Sequence, residues 1–249
     1  MGLIHKDTFI CLDCETTGLQ QNADQIIEIA VVRFTFEQVL DSFETLIDPQ
    51  IPIPEASIAI HHIDDPMVKG KPKIQDILPQ VLAFVGHDII VGHGITNDIA
   101  FLCYAAKLQG ILCCLESHPY IDTLRMARLY GESPINSLEV LRQHFNIAEE
   151  GAHRAMNDVV VNIEVFKYLS KTFKTTEQLV NRLKSPILLK TMPLGKHKGR
   201  PFSDIPVEYL RWAVNQDFDQ DLLFSLKTEL KKRKHGSRFS QAANPFANL

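Results

Sequence analysis

The chain has 249 residues, of which 45% are hydrophobic and 22% are charged, as in an ordinary globular protein. No apolar run approaches the roughly 20 residues of a membrane-spanning helix, and the N-terminus lacks the pattern of a secretory signal. The net charge of −4 combines +6 for residues 184–249 with −10 for the remainder. The basic C-terminal region favours an anionic partner such as nucleic acid, and a solvated charged helix explains it equally well.

The five cysteines are an odd number and lie mostly in apolar runs. This pattern favours reduced core thiols in a cytoplasmic protein. No Cys/His spacing in the sequence matches a zinc site.

The first part of the chain predicts a three-stranded antiparallel start from the segments DTFICLDCE, QIIEIAVVRFTF and VLDSFETLID. A short helix is predicted from Pro54 to His61. A buried strand, HDIIVGHG, then lies among helical patterns, which are IQDILPQVLAFVG, NDIAFLCYAAKLQG and RAMNDVVVNIEVFKYLSKTF. The chain thus begins with consecutive strands and continues with strands that alternate with helices. This order predicts a mixed sheet with helices on its faces.

The composition changes beyond a predicted linker at 184–190. MPLGKHKGRPFSDI predicts a short hairpin, and PVEYLRWAVNQ and QDLLFSLKTELKKRKH predict two helices. We therefore predict a large domain over 1–184, a small basic module over 185–236 and a disordered tail over 237–249.

Acidic residues stand at the end of a predicted strand and near the starts of predicted helices. Asp13 and Glu15 share one face of the first strand, where two carboxylates repel each other unless a positive charge lies between them. Asp98 follows the buried strand, and Asp158 lies among apolar residues five positions after His153. Each acid alone has an ordinary explanation, such as a frayed strand end or a favourable helix dipole.

Together these residues resemble the three motifs of the DnaQ-like 3′–5′ exonucleases of the DEDDh type. The motifs are D-x-E-T-T-G at 13–18, Asp98, and H-x4-D at 153–158. The resemblance covers residues 6–175, in round terms. It implies an α/β fold in which a ribonuclease H-like mixed five-stranded sheet is flanked by helices.

The resemblance also implies a two-metal site. Asp13, Glu15, Asp98 and Asp158 would hold two Mg²⁺ or Mn²⁺ ions, with Asp13 bridging both and Asp98 acting through water. The charge of the two ions would balance that of the four carboxylates. His153 would be the general base that accepts the proton of the attacking water.

Further residues are implied as substrate contacts. Thr16, Thr17 and Leu19 correspond to the family segment that receives the 3′-hydroxyl and the last base, with plain turn chemistry as the alternative. AIHHIDD resembles the V-H-G-I-T segment of proofreading relatives, with a histidine in place of the usual glycine. In that alignment His61 contacts substrate, and Ile63 is either a wedge against the last base or a core residue.

Two polar residues keep alternative interpretations. Asn97 either hydrogen-bonds substrate or caps the helix that follows it. Glu28 lies in an otherwise apolar strand and needs a partner, which is either a catalytic group or a structural arginine.

The segment around residues 190–233 resembles the small C-terminal domain of exonuclease X-like proteins. Lys196, Lys198 and Arg200 lie together in its hairpin and would bind phosphates without reading sequence. Trp212 fits a helix face and is interpreted as a core residue rather than a stacking platform.

These observations predict a metal-dependent 3′–5′ exonuclease that releases nucleoside 5′-monophosphates from DNA, preferring single-stranded 3′ ends, in repair or end processing. The alternatives are an epsilon-type proofreading subunit with a polymerase or clamp partner, an exoribonuclease resembling RNase T, and a non-catalytic nucleic-acid-binding protein. RNA is not excluded as a substrate, and the sequence leaves open whether the chain forms a homodimer.

Overall fold

The computed structural model describes residues 3–133, 135–148 and 154–242, with the backbone alone for 235–242. The chain forms two compact units, Met1–Leu183 and Lys184–Leu249. Within the described ranges, no helix has the length and apolar character needed to cross a bilayer.

The described part of the first unit contains a five-stranded sheet with the order β3-β2-β1-β4-β5. The strands are β1 (Phe9–Thr16), β2 (Ile26–Phe34), β3 (Val39–Leu46), β4 (Ile89–Gly92) and β5 (Tyr120–Asp122). β2 pairs antiparallel with β1 and β3, whereas β4 pairs parallel with β1 and β5. This mixed sheet confirms the predicted ribonuclease H-like fold and its three-stranded antiparallel start.

Eight described α-helices belong to the same unit. They are α1 (Glu55–His61), α2 (Asp65–Val68), α3 (Ile74–Val85), α4 (Thr96–Gln109), α5 (Thr123–Tyr130), α6 (Leu138–His144), α7 (Ala155–Ser170) and α8 (Thr176–Leu183). Ile95, not Asn97, occupies the N-cap position of α4, so the prediction that Asn97 caps this helix is wrong. The sequence analysis missed β5 and α5, because elements of three and eight residues give short periodic patterns.

β1 is packed on both faces of the sheet. Phe9 lies 5.0 Å from Phe166 of α7, measured between ring centroids, and the Cys11 thiol donates to a backbone carbonyl of the same helix. The intervening residues of β1 face a cluster formed with α3 and α4. Because alternate residues of a strand share a face, the next side chains towards α7 are Asp13 and Glu15.

The second unit has a small core of its own. Its helices are α9 (Val207–Ala213) and α10 (Gln220–Ala242), and a single bridge between Thr191 and Pro201 closes the predicted hairpin. The predicted linker is anchored here, since the Ile187 N–H donates to Asp221 over 2.9 Å. Helix α10 also continues to Ala242, into the segment predicted to be disordered from 237. Residues 243–249 lie outside the described part.

Candidate active site

The first two acids lie where β1 extends beyond its neighbour. β1 pairs with β4 only as far as Cys11, so the last residues of β1 project past the end of that strand. Asp13 and Glu15 are half-buried there, on the face covered by α7. Asp158, in the first turn of α7, completes a group in which one carboxylate oxygen of each residue lies within 4.8 Å of the others.

Asp98 lies beside this group without being one of its three members. It is buried in the first turn of α4, and its Oδ1 accepts a hydrogen bond of 3.1 Å from the backbone N–H of Cys14. The pairing of β1 with β4 ends before Cys14, so the Cys14 N–H is available to Asp98. The structure therefore brings all four predicted acids to the carboxyl end of β1.

Burial and mutual repulsion make the ionised form of these acids costly. The pKa of Asp13 is raised well above its usual value, first by burial and then by the charges of Asp98, Glu15 and Asp158. Burial, followed by the charge of Asp158, raises the pKa of Glu15 to about 8. Burial also raises the pKa of Asp98 to about 7 against the effect of backbone N–H groups.

This donor set fits a hard divalent cation. Carboxylate oxygens are the ligands that Mg²⁺ and Mn²⁺ favour, and three of them already lie within ligating reach of a common point. A bound cation would offset the mutual repulsion that, after burial, raises the pKa values of Asp13 and Glu15.

We expect the stability of the metal-free protein to fall as the pH rises from about 4 to about 8. In this window the folded chain retains protons on Glu15 and Asp98 that the unfolded chain has lost, because their folded pKa values are about 8 and about 7. Thermal melts in EDTA should therefore show a lower Tm at pH 8 than at pH 5.5. Mn²⁺ should raise the Tm mainly at pH 8, where a hundredfold excess over Kd stabilises the folded protein by about 2.7 kcal/mol.

NaCl at equal ionic strength is the control for the melting experiment, since it screens surface charge without ligating the acids. A Tm that is the same at both pH values, and insensitive to Mn²⁺, would contradict the described arrangement of the four carboxylates.

A buried ion pair fixes the start of α7. Glu28 of β2 is fully buried and lies directly across the strand pair from Glu15. Its carboxylate accepts hydrogen bonds from the Arg154 guanidinium and, over 3.0 Å, from the backbone N–H of Ala155. Glu28 thus binds the first N–H of the helix that carries Asp158. Arg154 is therefore the structural arginine that the sequence analysis gave as one alternative partner of Glu28.

His153, the predicted general base, lies outside the described residues. Its neighbour Arg154 donates a hydrogen bond to Glu28. Glu28 lies opposite Glu15 in the register of β1 and β2. The chain is therefore anchored beside the acid cluster at the residue that follows His153.

The loop after β1 is closed by Asp24, which the sequence analysis did not single out. Its carboxylate accepts hydrogen bonds from the Thr17 hydroxyl and from the Gln20 N–H, at 3.2 and 2.8 Å. A Cβ on Gly18 would lie 2.5 Å from an oxygen of Asp24, so a larger residue here would displace the carboxylate that makes these hydrogen bonds. The Thr16 hydroxyl donates to the Gly18 carbonyl over 2.6 Å. Both threonine hydroxyls thus serve the loop itself, while Leu19 is 83% exposed at its tip.

The remaining predicted substrate contacts differ in accessibility. Ile63 is fully buried in a cluster with Ile27 and Val68, so it is a core residue rather than an exposed wedge. His61 is also buried, and its Nε2 has no hydrogen-bond partner within the described chain. Asn97 is exposed and accepts a hydrogen bond of 3.1 Å from Gln21.

The fold and the carboxylate cluster together define a nuclease of the ribonuclease H-like class. The chain belongs to the exonuclease family, whose sequence model, described as "Exonuclease", matches residues 10–166. A second model, described as "Putative quorum-sensing-regulated virulence factor", matches residues 181–231.

Curated relatives include polymerase components. The "DNA polymerase III PolC-type" of Clostridium perfringens is 32% identical over 195 residues, which are 76% of this chain and 13% of the relative. The "DNA polymerase III subunit epsilon" of Aquifex aeolicus is 32% identical over 161 residues, or 64% of this chain and 78% of the relative. The match therefore spans only about an eighth of the length of the PolC-type relative.

Solved structures of exonucleases share the fold. Exonuclease X in complex with 5′-overhanging duplex DNA gives a TM-score of 0.56 at 24% identity, covering 70% of this chain and 98% of that one. Exonuclease I of E. coli in complex with a dA16 oligonucleotide gives a TM-score of 0.61 at 20% identity, covering 72% of this chain and 43% of that one. These likenesses confirm the architecture.

Proposed function

We propose that this enzyme is a two-metal 3′–5′ exodeoxyribonuclease that removes nucleoside 5′-monophosphates from 3′ ends of DNA, preferring single strands, in repair or end processing. The observation that carries the proposal is the convergence of Asp13, Glu15, Asp98 and Asp158 at one end of the sheet. Exonuclease structures of the same fold were solved with single-stranded and overhanging DNA, which supports DNA as the substrate class.

In this mechanism Asp13, Glu15, Asp98 and Asp158 would hold two Mg²⁺ or Mn²⁺ ions. When bound, the ions supply Lewis-acid stabilisation of the charge that develops on the reacting phosphate. His153 accepts the proton of the attacking water, and the Glu28–Arg154 pair positions the chain on which His153 lies. The 3′-hydroxyl of the terminal nucleotide lies against the backbone of Thr16 and Thr17.

The exposed Leu19 at the tip of the loop contacts the last base, and the exposed Asn97 lines the same terminal nucleotide. Lys196, Lys198 and Arg200 are exposed in the second unit and bind phosphates of the strand. We propose 1–184 as the catalytic domain and 185–236 as an accessory module that adds affinity without sequence preference.

The polymerase relatives favour a second candidate, a proofreading exonuclease that works with a DNA polymerase. Its chemistry would be the same, and its substrate would be a mismatched primer end. Co-purification with a replicative polymerase, together with preference for a mismatched over a matched primer terminus, would distinguish it from a free-standing repair nuclease.

We expect Mg²⁺-dependent shortening of DNA from its 3′ end, because the carboxylate cluster binds the metal that activates the last phosphodiester. Oligonucleotides labelled at the 5′ end should yield a ladder, and those labelled at the 3′ end a labelled mononucleotide at once. Single-stranded DNA, blunt duplex and RNA of one sequence are compared in Mg²⁺, Mn²⁺ and EDTA.

Release of the 5′ label as a mononucleotide would contradict the direction of digestion. Degradation of RNA alone would replace the proposal with the exoribonuclease alternative. Cleavage that persists in EDTA would contradict the metal site itself.

A further inference from the structure

The second unit presents its tryptophan to solvent. Trp212 is 51% exposed in α9, whereas Leu210 and Ala213 of the same helix are fully buried in the core. The interpretation of Trp212 as a core residue is therefore wrong, since the short helix turns Leu210 and Ala213 inward and leaves Trp212 at the edge. A single exposed apolar side chain is common on protein surfaces, so the residues that surround Trp212 decide whether this surface binds a ligand.

Trp212 ends a row of three aromatic rings. Its ring centroid lies 5.2 Å from that of Tyr209, which lies 4.5 Å from the imidazole of His197. His197 of the hairpin is buried, and a Cβ on Gly195 would lie 3.1 Å from the Tyr209 hydroxyl. The hairpin is thus packed directly against Tyr209, which holds the row in place.

Positive charge lies around this row. Lys196 and Lys198 flank His197 in the hairpin and are exposed, and Arg211 is exposed beside Trp212 in the helix. Glu208 is the exposed acid of the same helix. The unit as a whole carries 12 Lys/Arg and 6 Asp/Glu over residues 184–249. Charge complementarity therefore selects an anionic occupant.

We propose that Trp212 is a stacking platform for a base of single-stranded nucleic acid, whose neighbouring phosphates are bound by Lys196, Lys198 and Arg211. An aromatic ring beside a cationic groove is the usual arrangement for binding a single strand without sequence preference, because every base has a flat face. The choice of a nucleic acid strand over another polyanion rests on the proposed function. Stacking at this surface needs no hydrolysis and is tested separately from it.

Trp212 is the chain's one tryptophan, so its intrinsic fluorescence reports on this surface alone. The full-length Asp13→Asn variant in EDTA, where no cleavage occurs, is titrated with a 16-mer of thymidine and with an abasic 16-mer of equal charge. We expect the base-bearing strand to quench the fluorescence, and the abasic strand to bind more weakly with little quenching. Trp212→Ala should weaken binding of a dye-labelled strand about tenfold.

Two comparisons separate stacking from folding and from charge. Trp212→Phe should retain most of the affinity, and Leu112→Ala, at a residue 88% exposed in the first unit, should retain all of it. Substituting Lys196 and Lys198 by Gln should weaken the binding of both strands and flatten its salt dependence. Unchanged fluorescence with the base-bearing strand, or equal quenching by both strands, would overturn the proposal, whatever the outcome of the nuclease assay.

Discussion

Replacing Asp13 by Asn is expected to lower hydrolysis of single-stranded DNA by at least about a thousandfold, equivalent to about 4 kcal/mol of transition-state stabilisation. Asp13 is the acid whose ionised form is opposed by burial and by Asp98, Glu15 and Asp158 together, so it lies at the centre of the cluster. The amide keeps the size of the side chain and removes the charge that a divalent cation requires. The measurement is single-turnover cleavage of a labelled oligonucleotide in saturating Mg²⁺.

The same substitution should not unfold the protein. Because it removes one of several repelling charges, Asp13→Asn should leave the Tm in EDTA at pH 8 unchanged or higher, and should abolish its rise with Mn²⁺. Asp41→Asn, at an exposed acid of β3, is the matched control and should retain full activity. Substantial activity in a folded Asp13→Asn protein would show that hydrolysis does not depend on this cluster.

Arg154→Ala is expected to destabilise the fold by about 3 kcal/mol, because it leaves the carboxylate of Glu28 buried without its cation. The Glu28 side chain is 0% exposed, and that of Arg154 is 34% exposed, which places the effect at the lower end of the range for buried pairs. Urea unfolding in EDTA measures the change. The activity of the protein that remains folded should also fall, because the pair positions the start of α7 and the neighbouring His153.

A second substitution distinguishes a lost ion pair from general damage. In the Arg154→Ala background, Glu28→Gln removes the stranded charge and should recover part of the free energy of unfolding. Lys167→Ala breaks the partly exposed pair with Glu164 and should cost below about 0.5 kcal/mol. Equal losses for Arg154→Ala and Lys167→Ala, or no recovery by the second substitution, would contradict the proposed role of the buried pair.

Local rules predict where each member of the acid cluster lies in its strand or helix. Alternation along β1 puts Asp13 and Glu15 on one face, and Asp98 and Asp158 lie in the first turns of helices that follow strands or loops. The resemblance to the DnaQ-like exonucleases implied the rest, namely that these residues converge. The mixed sheet followed from the order of strands and helices.

The same local rules do not predict contacts between residues that are far apart in the sequence. Glu28 and Arg154 are 126 positions apart, and no local pattern relates a buried acid to its arginine. Burial of Ile63 depends on contacts with β2 and α2, and exposure of Trp212 depends on how the second core is filled by neighbouring helices. Both are settled by tertiary packing, which apolar periodicity does not specify.

The most direct test of the account is anomalous diffraction from crystals of the wild-type chain grown with Mn²⁺. We predict two peaks, one ligated by Asp13, Glu15 and Asp158, and a second that shares Asp13 and lies on the side of Asp98. Absence of any peak at the carboxyl end of β1, with the crystals diffracting well and Mn²⁺ in excess, would contradict the assignment of these carboxylates as the metal site of the enzyme.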